Sequence, residues 1–189
     1  MKIDRAAFYK SVRRLGLFKK LSAAQVKSID AIFDQWEYYG LTDIRWLAYM
    51  LATAFWETAR TMLPIREYGL GKGRKYGKPD PRSPGVIHYG RGFVQLTWYT
   101  NYLIMGKILG IKDLVTNPDR ALEPAIATEI MFEGMTTGKS FKGDFTGKHL
   151  GLYFNKTTND PLNARRIING TDKAKEIAAI HGKFLEALA

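Results

Sequence analysis

The sequence contains no cysteine. Disulfide staples, a thiolate nucleophile and Cys-based zinc sites are thereby excluded, and the fold must stand on its apolar core. Histidine is scarce. His88, His149 and His181 stand far apart, and neither a His-Glu-x-x-His pair nor an Asp-rich calcium loop occurs, so no metal and no cofactor are expected. A Gly-x-Ser-x-Gly elbow is missing, which removes serine-based acyl transfer. The run Gly69-Leu70-Gly71-Lys72-Gly73 lacks the Gly-Lys-Ser/Thr ending of a phosphate loop, and no strand leads into it, so it reads as a turn. No stretch reaches the roughly 18 apolar residues that a membrane span requires. The opening Met1-Lys2-Ile3-Asp4-Arg5 has no apolar signal run, and synthesis in the cytoplasm without a signal peptide is the expectation.

Hydrophobic residues make up 46% of the 189, enough apolar surface for a core, and a single domain over 1–189 is expected. Positive charge is in excess: 29 Lys and Arg against 18 Asp and Glu give a formal +11. Such a balance draws a protein toward polyanions, whether nucleic acid, anionic membrane or bacterial wall, although it can also serve solubility alone. No recognised nucleic-acid-binding signature accompanies the charge, so no nucleic-acid partner is expected.

Apolar periodicity predicts a mainly α-helical chain. Phe8, Val12 and Leu15 mark a first amphipathic helix over 4–15, closed near Gly16. Ser22-Ala23-Ala24-Gln25 has the form of a capping box and leads into Val26, Ile29, Phe33 and Trp36, with an end expected before Gly40. Thr42 is the expected cap of a third helix, broad in its apolar face and ending at Glu57. From 60 to 95 glycine and proline break the pattern into a loop-rich lobe, with seven Lys and Arg between Arg66 and Arg91. Phe93–Thr97 is the strand candidate, with helix resuming soon after. A helix over 124–135, a turn region over 134–151 and a C-terminal helix carrying Ile177, Ile180, His181, Phe184, Leu185 and Leu188 complete the reading.

Carboxylates are the remaining chemistry. Glu57 follows the apolar run Leu47 to Trp56, where desolvation favours the protonated form of a carboxyl group, the form that can donate to a glycosidic oxygen. Local pattern alone favours instead an ordinary helix-end Glu paired with Arg60 or Arg66. Glu67 lies beyond Pro64, off any continuous helix shared with Glu57, and can face it across a cleft. An inverting acid and base pair stands roughly 6.5 to 9.5 Å apart. The competing reading makes Glu67 a partner of Arg66 or Arg91.

The segments Ala54-Phe55-Trp56-Glu57-Thr58, Tyr89-Gly90-Arg91-Gly92-Phe93-Val94-Gln95-Leu96-Thr97-Trp98, Asn101-Tyr102 and Ile167-Ile168-Asn169-Gly170 resemble glycoside hydrolase family 19, the plant-type chitinases and related phage endolysins. The motifs stand in family order from Leu47 to the C-terminus. The resemblance implies a lysozyme-like helical domain, with Glu57 as general acid, Glu67 as general base and Thr97 helping to hold the attacking water. It also implies that Tyr89, Gln95, Asn101 and Asn169 bind the sugar and its N-acetyl group, roles suited to amides and phenols but open to buried structural polar groups as well. Arg91 and Trp98 are read as structural, the first bracing a loop and the second packing. Two departures stand out: Trp56 occupies a position where the family usually has His, and the two acids lie closer in sequence than in family chitinases.

The expected activity is inverting cleavage of β-1,4 bonds in the peptidoglycan glycan by a monomeric muramidase-like endolysin. The basic charge would engage an anionic cell-wall or outer-membrane surface, and the protein would reach the periplasm after holin-type release. A chitinase acting on N-acetylglucosamine polymers is the alternative. A non-enzymatic wall- or membrane-binding module, resting on the basic C-terminal helix, is a further one.

Overall fold

The computed structural model describes residues 1–136 and 145–189. Its centre is α3 (Ile44–Glu57), in which every residue from Leu47 to Phe55 is buried. A helix apolar on all sides must be surrounded, and α7 (Ala174–Leu188) packs along it, with α5 (Pro124–Met135) also in contact. Each large side chain removed from water there contributes about 1.5–3 kcal/mol. α1 (Arg5–Arg14) lies against α7 through Phe8, stacked on Phe184 at 6.2 Å between ring centres. α2 (Ala23–Tyr39) packs on α5. The C-terminal helix is thus a core element: Ile177, His181, Phe184 and Ala187 are buried, which takes its apolar face away from any membrane.

Local signals explain the helix ends. Asp4 accepts from the Ala7 amide at the start of α1. Ser22 and Gln25 form the reciprocal capping box of α2, and Gly40 ends it in the left-handed conformation. The cap of α3 is Asp43 rather than Thr42. Its carboxylate takes the Arg45 amide and also binds the Arg45 guanidinium, an arrangement a threonine hydroxyl cannot make.

Strands are few. β1 (Ile65–Arg66) and β2 (Arg91–Gly92) pair antiparallel, with Ile65 opposite Gly92 and Arg66 opposite Arg91. They close the base of the lobe expected between 60 and 95. The predicted strand Phe93–Thr97 is instead a tight turn, closed by a bridge between Arg91 and Leu96. Phe93, Val94 and Leu96 are apolar because the turn is buried, not because it belongs to a sheet. α4 (Tyr99–Leu109) then resumes, and a 3-10 turn at Pro118–Leu122 fastens the strands to α5. Its Asp119 accepts from both cross-strand arginines, Arg66 at 2.6 Å and Arg91 at 2.7 Å. These two guanidiniums, Arg66 foremost, hold the Asp119 carboxyl below its ordinary range.

The turn region expected over 134–151 lies partly outside the described residues. Within them, α5 runs on through Met135, and α6 (Leu150–Tyr153) is a single turn. A second 3-10 turn, Asn163–Ile167, packs against both α6 and α7.

Candidate active site

Glu57 is the last residue of α3, and the chain turns sharply behind it. Thr58 makes this possible: its hydroxyl donates to the Ala54 carbonyl at 2.7 Å and accepts from the Met62 amide at 3.0 Å. Ala59, Arg60 and Met62 all take left-handed backbone angles, an unfavourable state for residues with a Cβ. The reversal carries the chain through Leu63 and Pro64 into β1, and Glu67 follows directly on that strand. Helix end and strand end thereby face one cleft of about 450 Å³, with Glu57 and Glu67 both in its lining.

The two carboxylates are held differently. Glu57 accepts from the Arg165 guanidinium through Oε1 at 2.6 Å, with Arg165 only 3% exposed and Glu57 16%. Neither Arg60 nor Arg66 is its partner; the partial desolvation expected at this helix end is accompanied by an ion pair on one oxygen. Among the described residues no hydrogen bond engages its Oε2. Glu67 uses both oxygens: Oε1 accepts from the Tyr76 hydroxyl at 3.0 Å and Oε2 from the Gly90 amide at 3.1 Å. Its own amide donates to the Gly90 carbonyl at 2.8 Å. Arg66 and Arg91, the anticipated partners, are both committed to Asp119. Burial first, then the bond to Glu67, raises the phenol of Tyr76 above its ordinary pKa, which keeps it a donor.

Four more of the anticipated residues, Gln95, Thr97, Asn101 and Asn169, line the same cleft. Gln95, at a φ of 54°, donates its amide to the Ile65 and Gly92 carbonyls, so it also ties the turn to the strands. The Thr97 hydroxyl donates to the Gln95 carbonyl at 2.7 Å, leaving its lone pairs directed elsewhere. Asn101 donates to the Thr97 carbonyl at 2.8 Å, bracing that segment from the first turn of α4. Asn169 is exposed and reaches the cleft from the segment that follows Ile167.

Tyr89 is placed elsewhere. Its ring lies 3.6 Å from the centre of the Arg91 guanidinium, and its carbonyl accepts from Arg91 and from the Tyr102 hydroxyl. It is not among the residues lining the cleft. Arg91 braces this loop as expected, also holding the Ile87 carbonyl. Trp98 does not pack inside. It is 46% exposed at a φ of 76°, lines the cleft, and meets Tyr76 edge to face at 5.3 Å.

Tyr76 and Phe145, both in the cleft lining, and Arg165 were not singled out by the sequence. Tyr76 stands in the Gly-rich lobe with no periodicity to mark it, and Arg165 meets Glu57 across 108 residues of chain. Among the described residues no group of three or more His, Asp or Glu is placed to hold a metal ion. The geometry offers two fixed carboxylates, a hydroxyl with free lone pairs and an aromatic wall, a set that can donate and accept protons.

No family model matches the chain. An endochitinase of Arabidopsis thaliana is 36% identical over 105 residues, which are 55% of this chain and 34% of that protein. Endochitinase 1 of Theobroma cacao is 41% identical over 63 residues, 33% of this chain and 19% of its own length. An inactive chitinase-like protein 1 of Hevea brasiliensis is 43% identical over 53 residues, 26% of this chain and 17% of its own. The match thus spans about a third or less of the curated relatives. Among solved structures, a bacterial family 19 chitinase superposes with a TM-score of 0.66 at 20% identity, over 99% of this chain and 95% of that one. A mutant of chitinase C gives 0.58 at 19% identity, over 98% and 76%. The chain has the mainly helical, lysozyme-like fold of the family 19 chitinases, and over part of its length it is similar in sequence to plant endochitinases.

Proposed function

We propose that the protein is an inverting glycoside hydrolase acting on β-1,4-linked N-acetylhexosamine glycans, with the glycan of bacterial peptidoglycan as its substrate. The observation that carries this reading is the convergence of Glu57 and Glu67 on one cleft from separate elements, each carboxylate fixed by its own set of donors. Glu57 carries its proton on Oε2, the oxygen that Arg165 leaves free, and delivers it to the glycosidic oxygen as the bond to the anomeric carbon breaks. Glu67 takes a proton from a water that forms the new bond on the opposite face of the sugar. Tyr76 and Gly90 hold Glu67 in one orientation, and the Thr97 hydroxyl, its proton spent on Gln95, accepts a hydrogen from the same water. Asn101 and Asn169 offer amides to the substituents of the sugar, while Trp98 presents a flat apolar face to its ring.

The choice of peptidoglycan rests on charge. A +11 chain is attracted to a wall bearing carboxylates and anionic polymers, and a neutral polymer gives it no such pull. Chitin is the second reading, favoured by the relatives named endochitinases. Purified sacculi and chitin digested in parallel separate the two. Soluble reducing fragments from sacculi, first appearing as the α-anomer by NMR, support the proposal. Release from chitin alone supports the second reading, and a β-anomer or an anhydro end removes the inverting mechanism.

A further inference from the structure

Beyond the wall formed by Tyr76 and Trp98 lies a second, smaller pocket of about 190 Å³. Both residues line it as well as the catalytic cleft, so the two spaces are neighbours across one pair of rings. The pocket differs from the cleft in charge. Lys75 and Lys78 stand in its lining, both exposed, and neither has an ion pair among the described residues. The one carboxylate there, Asp80, is already taken by Arg82, at 2.7 and 2.8 Å on its two oxygens. Elsewhere in the lobe Arg66 and Arg91 are likewise committed, to Asp119. Behind the cleft, the Arg165 guanidinium is bound to Glu57. Two ammonium groups without anions, beside a catalytic cleft, call for an anion brought by the substrate.

We propose that this pocket receives the carboxylates of the substituent carried by the glycan, with Lys75 and Lys78 as their partners and the Tyr76–Trp98 pair as the divider between sugar and substituent. The proposal rests on the peptidoglycan reading given above and adds to it a specificity site. A bare N-acetylglucosamine polymer has nothing to place there, whereas a lactyl-peptide projects acidic groups sideways from alternate sugars. Because the Tyr76 hydroxyl binds Glu67, a group settled on the far side of its ring also steadies the base.

The test compares kcat/KM on soluble glycan-peptide fragments with that on the same fragments after their carboxylates have been converted to neutral amides. The wild-type protein favours the acidic form by about three- to tenfold, the size expected for two partly exposed ion pairs at moderate salt. The double variant K75A/K78A loses that preference. A second double variant, K107A/K112A, removes the same charge from another face of the protein and keeps it. Fragments stripped of peptide by an amidase, which retain only the lactyl carboxylate, tell which carboxylate is read. If they keep the full preference, the lactyl group occupies the pocket. If they lose it, the peptide does. A preference that survives in K75A/K78A, or that falls equally in K107A/K112A, overturns the pocket proposal while leaving the hydrolase reading standing. A wild-type protein that cleaves neither form removes both.

Discussion

Arg165 donates to Oε1 of Glu57 at 2.6 Å, joining the 3-10 turn Asn163–Ile167 to the last residue of α3. The same guanidinium donates through Nε to the Asp172 carbonyl at 2.9 Å, just ahead of α7. One nearly buried cation therefore fixes the proposed acid and ties the C-terminal segment to the central helix. Its Coulombic gain is large only because both partners are shielded from water, which also makes the loss of either one costly.

Arg165→Met is expected to cost about 3 kcal/mol, because it leaves the mostly buried Glu57 side chain without its ion-pair partner. For a chain of this length the midpoint of melting then falls by about 6–12 °C. Adding Glu57→Gln should recover part of that loss, since the stranded charge is removed. Thermal melts of the two variants decide the matter, and a single variant within 1 kcal/mol of wild type by the same conversion argues against the ion pair as a structural link.

Tyr76→Phe deletes the hydroxyl that Glu67 accepts from while keeping the ring against Trp98. Glu67 retains the Gly90 amide, so the expected result is a drop of about tenfold in kcat, the equivalent of one hydrogen bond to a charged group, with little change in stability. An unchanged kcat would mean that the orientation of Glu67 does not limit turnover.

Two glycines should respond in opposite directions. A Cβ on Gly77 would lie 1.8 Å from the Gly71 carbonyl oxygen, so Gly77→Ala must force the lobe apart, at a cost of about 2 kcal/mol or more, and lower activity through Tyr76 next door. Gly182, exposed within α7, has nothing within 4 Å of the added atom, and Gly182→Ala should stabilise by about 0.5–1 kcal/mol. Urea titration of both reads the contrast directly.

Burial pushes the imidazoles of His88, His149 and His181 below their usual value of 6.5. The unfolded chain therefore takes up protons first as the pH falls. The stability linked to these groups is full above about pH 6.5 and is lost progressively below it, until each folded-state pKa is passed. His181, packed between Tyr49 and Phe154 and hydrogen-bonded to the Arg45 carbonyl, is one of the buried residues that give this slope. Urea midpoints at pH 7.5, 6.0 and 5.0 should decline, and His181→Gln should decline less steeply. Parallel curves would show that other groups set the acid limit.

The helices were legible because burial and periodicity act within a few residues: the capping box of Ser22 and Gln25, the stop at Gly40 and the apolar run of α3 each carry their own local cause. The strand expected at Phe93–Thr97 was not, since a buried turn and a buried strand demand the same side chains, and only the left-handed angles at Gln95 and Trp98 separate them. At the site, motif order placed Glu57, Glu67, Gln95, Thr97, Asn101 and Asn169 on one cleft. It could not place their partners. Arg165 and Tyr76 meet the two acids through tertiary folding, Tyr89 turns toward Arg91, and Trp98 faces outward, none of which has a signature in sequence spacing.

The central claim is that Glu57 supplies the proton that breaks the glycosidic bond. Its most direct test is the rate of reducing-end release from purified sacculi by Glu57→Gln beside the wild-type protein, each first shown to be folded by its melting curve. The amide keeps an oxygen for Arg165 but has no acidic proton to give, so the rate should fall by about a hundredfold or more. A folded Glu57→Gln variant that works within about tenfold of wild type, below the span that general acid catalysis contributes, would contradict the assignment.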